Sequence, residues 1–206
     1  MKVYKFETGL LSVNTYVLAL EGSADAVAVD VGGDAEFIED ECKKLGLTIK
    51  AVLLTHGHFD HIGGTEYFQK KGAKIYIGEK DAKFLSDKSL NLSMAWGKLI
   101  NAFNADYTVK DGDIITVCGI TFKVLETPGH TVGSVCYIAE NYLISGDTLF
   151  DRSFGRYDFP TGNLNDLISS LNSLFEIEEN LIVLPGHGSN TCLIEEKENN
   201  PILNYL

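Results

Sequence analysis

Arginine is almost missing from this chain of 206 residues: Arg152 and Arg156 are the two present, and no long run of lysines takes their place. Seventeen basic side chains stand against twenty-nine acidic ones, a net charge of −12. That field repels a phosphate backbone, so nucleic acid is excluded as the expected partner. Cysteine is also sparse. Cys42, Cys118, Cys136 and Cys192 form no C-x-x-C pair and none adjoins a histidine. Four free thiols suit a reducing compartment, and the cytoplasm is the expected location. No apolar run approaches the ~20 residues of a membrane-crossing helix, so no membrane partner is expected. One stretch imitates a secretory leader, Leu10–Leu20 behind Lys2 and Lys5. Asn14 and Thr15 interrupt it, and Val13, Thr15, Val17 and Ala19 alternate with their neighbours as in a strand of the mature protein.

What is present is globular. Hydrophobic residues make up 45% and charged residues 22%, too apolar for disorder, and the 20 glycines follow no three-residue period. The length suits a single domain, 1–206. Strands are predicted at Lys2–Phe6, Val13–Leu20, Asp25–Asp30, Ile49–Leu54, Lys74–Ile77, Ile114–Cys118, Thr121–Leu125, Ser134–Ile138, Tyr142–Ser145 and Leu181–Leu184. Helical spacing appears at Asp34–Leu45, where Phe37, Ile38, Cys42 and Leu45 recur, and at Gly63–Lys71. It returns at Asn163–Leu174, with Leu167, Leu171 and Leu174 on one side. The region from Glu79 to Asn104 reads as helical, with Met94, Trp96, Leu99 and Phe103 as candidate core residues. Two strand-rich halves covered by helices point to a mixed α/β sandwich with sheets inside and helices outside.

Residues 55–61 carry the chemistry: Thr-His-Gly-His-Phe-Asp-His, directly after the apolar strand Ile49–Leu54. Three imidazoles and a carboxylate at a strand end can be turned inward together, and borderline divalent metals bind such donors. Gly57 lets the turn bend without a Cβ, and Phe59 can enter the core while its neighbours face a metal. Random shuffling would produce His-x-His-x-Asp-His roughly once in ten thousand sequences of this composition. The remaining histidines also sit where predicted strands end: His130 in Thr127-Pro128-Gly129-His130, and His187 in Pro185-Gly186-His187. Asp147 follows Ser145-Gly146 in the same way. His56, His58, Asp60, His61, His130, Asp147 and His187 together suit two metals with a shared carboxylate. Two divalent ions would lower the pKa of a water between them toward ~7, giving a hydroxide to attack an ester-like carbonyl.

This pattern resembles the metallo-β-lactamase superfamily: His-x-His-x-Asp-His, then a later His, a later Asp and a last His, in that order. Asp30-Val31-Gly32-Gly33, Ser145-Gly146-Asp147-Thr148-Leu149-Phe150 and Gly155-Arg156-Tyr157-Asp158-Phe159-Pro160 extend the likeness along nearly the whole chain. Within the superfamily the chain looks most like the glyoxalase II branch, especially its short bacterial members. The resemblance implies an αββα sandwich with metals at one edge. It assigns His56, His58 and His130 to one ion and Asp60, His61 and His187 to a second, with Asp147 bridging. It implies that Asp60 also orients the attacking hydroxide and that Asp30 supports the site from behind. Arg156 and Asp158 read as an ion pair shaping a loop. Zinc is the expected metal, and iron or manganese suit the same donors.

Departures from the family narrow the activity. β-Lactamases of the common type carry cysteine where this chain has Asp147, so antibiotic hydrolysis is not expected. Glyoxalase II carries a further helical domain that grips glutathione, which the short stretch after His187 does not supply. The expected activity is a dinuclear hydrolase of a small, hydroxyacylglutathione-like thioester. The alternative is a persulfide dioxygenase with one iron on His56, His130 and Asp147, which retention of the other donors weighs against. A nuclease lacks the basic arm it would need here, and a non-catalytic relative would be expected to have lost a donor.

Overall fold

Alternation within the strands sorts the apolar side chains onto two faces, and that sorting builds the layers. In the computed structural model, which describes residues 1–98 and 100–205, the first sheet holds six strands. They are β1 (Lys2–Thr8), β2 (Val13–Ala19), β3 (Asp25–Val29), β4 (Thr48–Leu53), β5 (Lys74–Gly78) and β6 (Tyr107–Val109), neighbours in that order. β1, β2 and β3 pair antiparallel, and β3 to β6 run parallel. Parallel neighbours need crossovers. These carry α1 (Ala35–Lys44), then α2 (Phe59–Ile62) with α3 (Thr65–Lys70), then a 3₁₀ helix at Glu79–Leu85.

The second sheet follows: β7 (Ile114–Val117), β8 (Ile120–Glu126), β9 (Val135–Ala139) and β10 (Tyr142–Gly146). A small separate hairpin, β11 (Leu149–Phe150) and β12 (Ser153–Phe154), precedes α4 (Leu164–Phe175). β13 (Ile182–Pro185), β14 (Thr191–Cys192) and α5 (Leu193–Asn199) complete the chain before a last 3₁₀ turn at Pro201–Tyr205. The strand order is β14-β13-β10-β9-β8-β7.

Three apolar clusters mark the three interfaces of a four-layer αββα sandwich. Tyr16, Leu18, Val27, Val29 and Leu53 of the first sheet meet Phe122, Val124, Val135, Tyr137 and Ile144 of the second. The alternate residues Val17, Ala26, Ala28 and Val52 face Ile38, Cys42 and Phe68 of the helices outside. On the far side Leu167, Leu171 and Leu174 of α4 cover Cys136, Leu143 and Val183. Small Ala26 and Ala28 face the helical layer while the larger Val27 and Val29 fill the space between sheets. Among the described residues no helix is long and apolar enough to cross a membrane.

The strand expectations hold to within a residue or two at most ends. The segment that imitates a leader is β2, buried along its whole length between β1 and β3. The expected helix Gly63–Lys71 is shorter, because Gly63-Gly64 separates α3 from the single turn of α2. Phe37 of α1 and Leu45 at its C-terminal boundary are exposed, at 49% and 43%, so only Ile38 and Cys42 of that set enter the core.

Of the region 79–104 that reads as helical, only Glu79–Leu85 forms a helix among the described residues, and it is 3₁₀. Past Leu85, polar side chains capture the backbone groups that a helix would need: Asp87 Oδ1 accepts from the amides of Ser89 and Leu90, and Asn91 Oδ1 from that of Ser93. Asn91 Nδ2 donates to the Phe84 carbonyl, which closes the turn. Phe103 is buried as expected, Met94 and Trp96 are exposed at 65% and 48%, and Leu99 lies outside the described residues.

β8, β10 and β13 run in the same direction, since β9 pairs antiparallel with both β8 and β10, and β10 is parallel to β13. Their C-terminal ends meet the C-terminal end of β4 at one edge of the sandwich. Cross-sheet hydrogen bonds lock that edge. The Val135 amide donates to the Thr55 carbonyl at 2.8 Å, and Tyr137 Oη donates to the Leu54 carbonyl at 2.9 Å. Asn14 Nδ2 and Tyr16 Oη both donate to the Pro185 carbonyl at 2.9 Å, so β2 holds the end of β13.

Candidate metal centre

The turn after β4 delivers four donors. His56 leaves the strand, His58 stands at the N-terminal boundary of α2, and Asp60 and His61 lie within that one turn. Gly57 is needed for close approach, not for an unusual backbone angle: a Cβ there would come within 2.4 Å of Phe84 Cβ. Phe59 is buried at 4% exposure, but against Trp96 on the wall of a cavity (ring centroids 5.7 Å apart) and outside the main apolar clusters. His130 follows β8, Asp147 follows β10 and His187 follows β13.

All seven predicted donors converge. One donor atom each from His56, His58 and His130 lie mutually within 4.8 Å, as do those of Asp60, His61 and His187. His56, His61 and Asp147 form a third such group that links the first two. His58 Nδ1 is 2.9 Å from His130 Nε2. Asp147 Oδ1 lies 3.4 Å from His61 Nε2, and its Oδ2 lies 3.5 Å from His130 Nε2 and 3.8 Å from His187 Nε2. Asp60 Oδ2 lies 3.3 Å from His187 Nε2 and 3.7 Å from His61 Nε2.

A set of partners behind the donors fixes their tautomers. His61 Nδ1 donates to Asp30 Oδ2 at 2.9 Å, His130 Nδ1 to the Arg156 carbonyl at 2.7 Å and His187 Nδ1 to the Leu11 carbonyl at 3.1 Å. Thr55 Oγ1 donates to Asp30 Oδ2, so it accepts from His56 Nδ1 at 3.1 Å. Each of these rings therefore turns its Nε2 toward the shared space. Asp30 also accepts from the Thr55 amide, so its carboxylate sits behind the donors rather than among them. Arg156 and Asp158 form the expected ion pair, with hydrogen bonds of 2.9 and 2.8 Å, and the guanidinium lies 4.2 Å from the Phe159 ring centre.

One residue of this framework was not found in the sequence. Asp81, fully buried just beyond β5, accepts from the Gly57 and Gly133 amides at 2.9 and 2.8 Å and from Thr131 Oγ1 at 2.7 Å. It clasps the loop of His56 and His58 to the loop of His130. Its only available signal was topological: β5 is parallel to β4, so its exit reaches the same edge.

Burial lowers the pKa of His56 well below the ordinary histidine value, with nearby imidazoles adding to the effect. Burial with His130 opposite lowers His58 to about 3, and burial lowers His130 as well. His61 goes the other way. Burial would lower it, but Asp147, Asp60 and Asp30 outweigh burial and hold it well above the ordinary value. Burial opposes ionisation of Asp147 too, yet His61, His130 and His187 keep its carboxyl well below the usual range. Burial raises Asp81 to about 6 despite its three donors.

His56 Nε2, His61 Nε2 and Asp147 Oδ1 are buried without a protein hydrogen-bond partner. Buried polar atoms in that condition are costly, and several aimed into one space fit a cation. Imidazole nitrogen with carboxylate oxygen is the donor chemistry of zinc, iron and manganese. The donors open onto a cavity of about 390 Å³, whose apolar walls include Phe59, Leu92, Trp96, Phe150, Phe154 and Phe159.

Comparison with known proteins agrees with this geometry. The family model described as the Metallo-beta-lactamase superfamily matches residues 8–187. The hydroxyacylglutathione hydrolase GloC of Haemophilus influenzae is 35% identical over 193 residues, 91% of each chain. Among solved structures, the BLEG-1 B3 metallo-beta-lactamase superposes with a TM-score of 0.93 at 37% identity, covering 98% of this chain and 99% of that one. TTHA1623, solved in a di-iron-bound form, gives a TM-score of 0.84 at 32% identity over 96% of this chain and 98% of that one.

Proposed function

We propose, from the premise that this chain belongs to the metallo-β-lactamase superfamily, that it is a dinuclear hydrolase of small thioesters. The carrying observation is the convergence of seven buried or half-buried donors into two groups joined by Asp147, at the floor of an apolar cavity. His56, His58 and His130 would hold one ion, and Asp60, His61 and His187 the other, with Asp147 shared. Zinc is the proposed metal. The di-iron form of TTHA1623 supports iron as the substitute. When bound, such ions supply a water that ionises near neutrality and a Lewis acid for a carbonyl oxygen.

The chain's own residues do the rest. Asp60 Oδ2, beside His187 Nε2, is placed to accept a proton from the attacking water and aim it. Asp30 and the Arg156 and Leu11 carbonyls hold the imidazoles in their working tautomers. The apolar walls limit water around the scissile bond. A carbon–oxygen bond forms at the acyl carbon, the carbon–sulfur bond breaks, and the thiol leaves. We place residues 1–206 as one catalytic domain working in the cytoplasm on small molecules, not on nucleic acid or a membrane.

The name of the GloC relative supports thioester chemistry. Likeness to BLEG-1 makes β-lactam hydrolysis a second reading, despite the carboxylate at Asp147 in place of cysteine. A single-iron persulfide dioxygenase on His56, His130 and Asp147 is the remaining alternative, and the intact second group of donors weighs against it. The test is direct. The protein is purified without added metal, its metals per chain are counted, and it is offered a thioester, a β-lactam and glutathione persulfide separately. Two metals with oxygen-independent thiol release are expected. One iron with oxygen consumption on the persulfide overturns the hydrolase reading, and faster turnover of the β-lactam overturns the thioester assignment.

A further inference from the structure

Resting on the thioester reading, we propose that the substrate carries an uncharged, apolar group, aryl or branched alkyl, next to the scissile bond, and that an anionic peptide thiol is a poor fit. The cavity beside the donors is walled by rings. On one side Trp96 lies against Phe59 at an interplanar angle of 35°, with Leu92 beside them. On the other, the Phe159 ring stands 5.6 Å from His58 and 6.2 Å from His130, centroid to centroid. Phe150 stands 6.4 Å from His187 in the same way. A substrate reaching the donors therefore passes between aromatic surfaces.

Charge recognition is missing from the same walls. Arg156 is the one lysine or arginine among the described lining residues, and Asp158 already takes it in a two-point ion pair. The guanidinium also sits over the Phe159 ring, 4.2 Å from its centre, and is engaged there. A glutathione thioester brings two carboxylates and one ammonium into a protein of net charge −12, and the described lining residues offer no lysine or arginine beyond the paired Arg156 to replace the water those carboxylates lose. A flat apolar group loses nothing on desolvation and covers the half-exposed face of Trp96.

Trp96 is the only tryptophan in the chain, so its fluorescence reports occupancy of this cavity without any turnover. Two measurements on the metal-loaded protein test the inference. In the first, kcat/KM is compared for phenylacetyl-N-acetylcysteamine and S-lactoylglutathione. The neutral aryl thioester is expected to be favoured at least about tenfold. Trp96→Ala should cut that ratio about tenfold through KM, and Trp96→Phe should largely restore it. In the second, S-benzyl-N-acetylcysteamine, which cannot be hydrolysed, should quench Trp96 emission saturably, while S-methylglutathione at equal concentration should not. Preference for S-lactoylglutathione, or a ratio unmoved by Trp96→Ala, overturns the inference while leaving thioester hydrolysis standing. Saturable quenching by the neutral thioether with no thioester cleaved sinks the reaction class and supports the apolar cavity. Equal quenching by both probes overturns the selectivity.

Discussion

His56, His58 and His130 present nitrogen alone, whereas Asp60, His61 and His187 present nitrogen beside carboxylate oxygen, and Asp147 reaches toward both sets. Both sets are built on the same plan, from donors at strand ends braced from behind. They hold charge in opposite ways. In the nitrogen-only set, burial keeps the imidazoles neutral, and neutral imidazole is the form that ligates. In the mixed set, Asp147, Asp60 and Asp30 outweigh burial and hold the His61 pKa well above its ordinary value, so proton and metal compete for the same ring nitrogen. The two positions are thus unequal before any metal binds: burial favours neutral donors at the first, and carboxylates favour the proton on His61 at the second.

The largest test of that inequality removes what the two sets share. Asp147→Ala should lose metal from both positions and lower turnover on the order of 10³-fold, while circular dichroism and the melting transition still show a folded sandwich. Full activity in this variant would break the shared-carboxylate scheme. Next come the two sets separately. His58→Ala and His187→Ala should each lose about one ion per chain with turnover down roughly 10²-fold. Metal analysis should show His58→Ala retaining the ion of the mixed set and His187→Ala that of the nitrogen-only set. Loss of both ions in both variants would mean that the positions fill as one unit.

Asp81 offers a finer separation, because both loops it clasps lead to the nitrogen-only set. Asp81→Ala leaves three buried donors without their acceptor and should destabilise the protein by about 2–3 kcal/mol in chemical denaturation. Affinity at the nitrogen-only position should fall about tenfold, with the mixed position little changed. Equal weakening at both would show that the clasp serves the whole edge.

The smallest expected effect is the pH response of the chelator-treated protein. His58, with its folded pKa lowered to about 3 from 6.5, contributes stability that is present above pH 6.5 and lost as pH falls toward the folded value. His56 and His130 act in the same direction. His61, raised above 6.5, contributes stability that is fully present below pH 6.5 and lost as pH rises through its folded pKa. Denaturation curves between about pH 4 and pH 9 should therefore show an acid limb that His58→Ala flattens and an alkaline limb that His61→Asn flattens. A single variant flattening both limbs would erase the contrast between the sets.

Much of this was legible in the residues. Ile49–Leu54 announced β4 by its apolar run, and the alternation of Val13–Ala19 identified a strand in a stretch that imitates a leader. All seven donors stood at predicted strand ends, so candidate ligands were recognisable from chemistry and spacing. Asp81 was not, because an isolated aspartate gives no sign of which amides will face it. Trp96 and Met94 were misplaced in the core, since an apolar residue within a turn-rich segment has no period to show which side it faces. The bracing carbonyls of Leu11 and Arg156 were invisible as well, because every residue has a carbonyl and only the fold selects one.

The sequence by itself determined which residues carry donor chemistry, and which face of each strand is apolar, because both are properties of residue type and local period. Only the tertiary structure decided that donors separated by up to 131 positions, from His56 to His187, share one small space. That outcome depends on strands from two sheets ending at the same edge and on hydrogen bonds such as Tyr137 to Leu54 that hold the sheets in register. The burial that separates one histidine's pKa from another's, and the ring of aromatics around the cavity, arise from the same packing, as no local pattern encodes a distance between sheets.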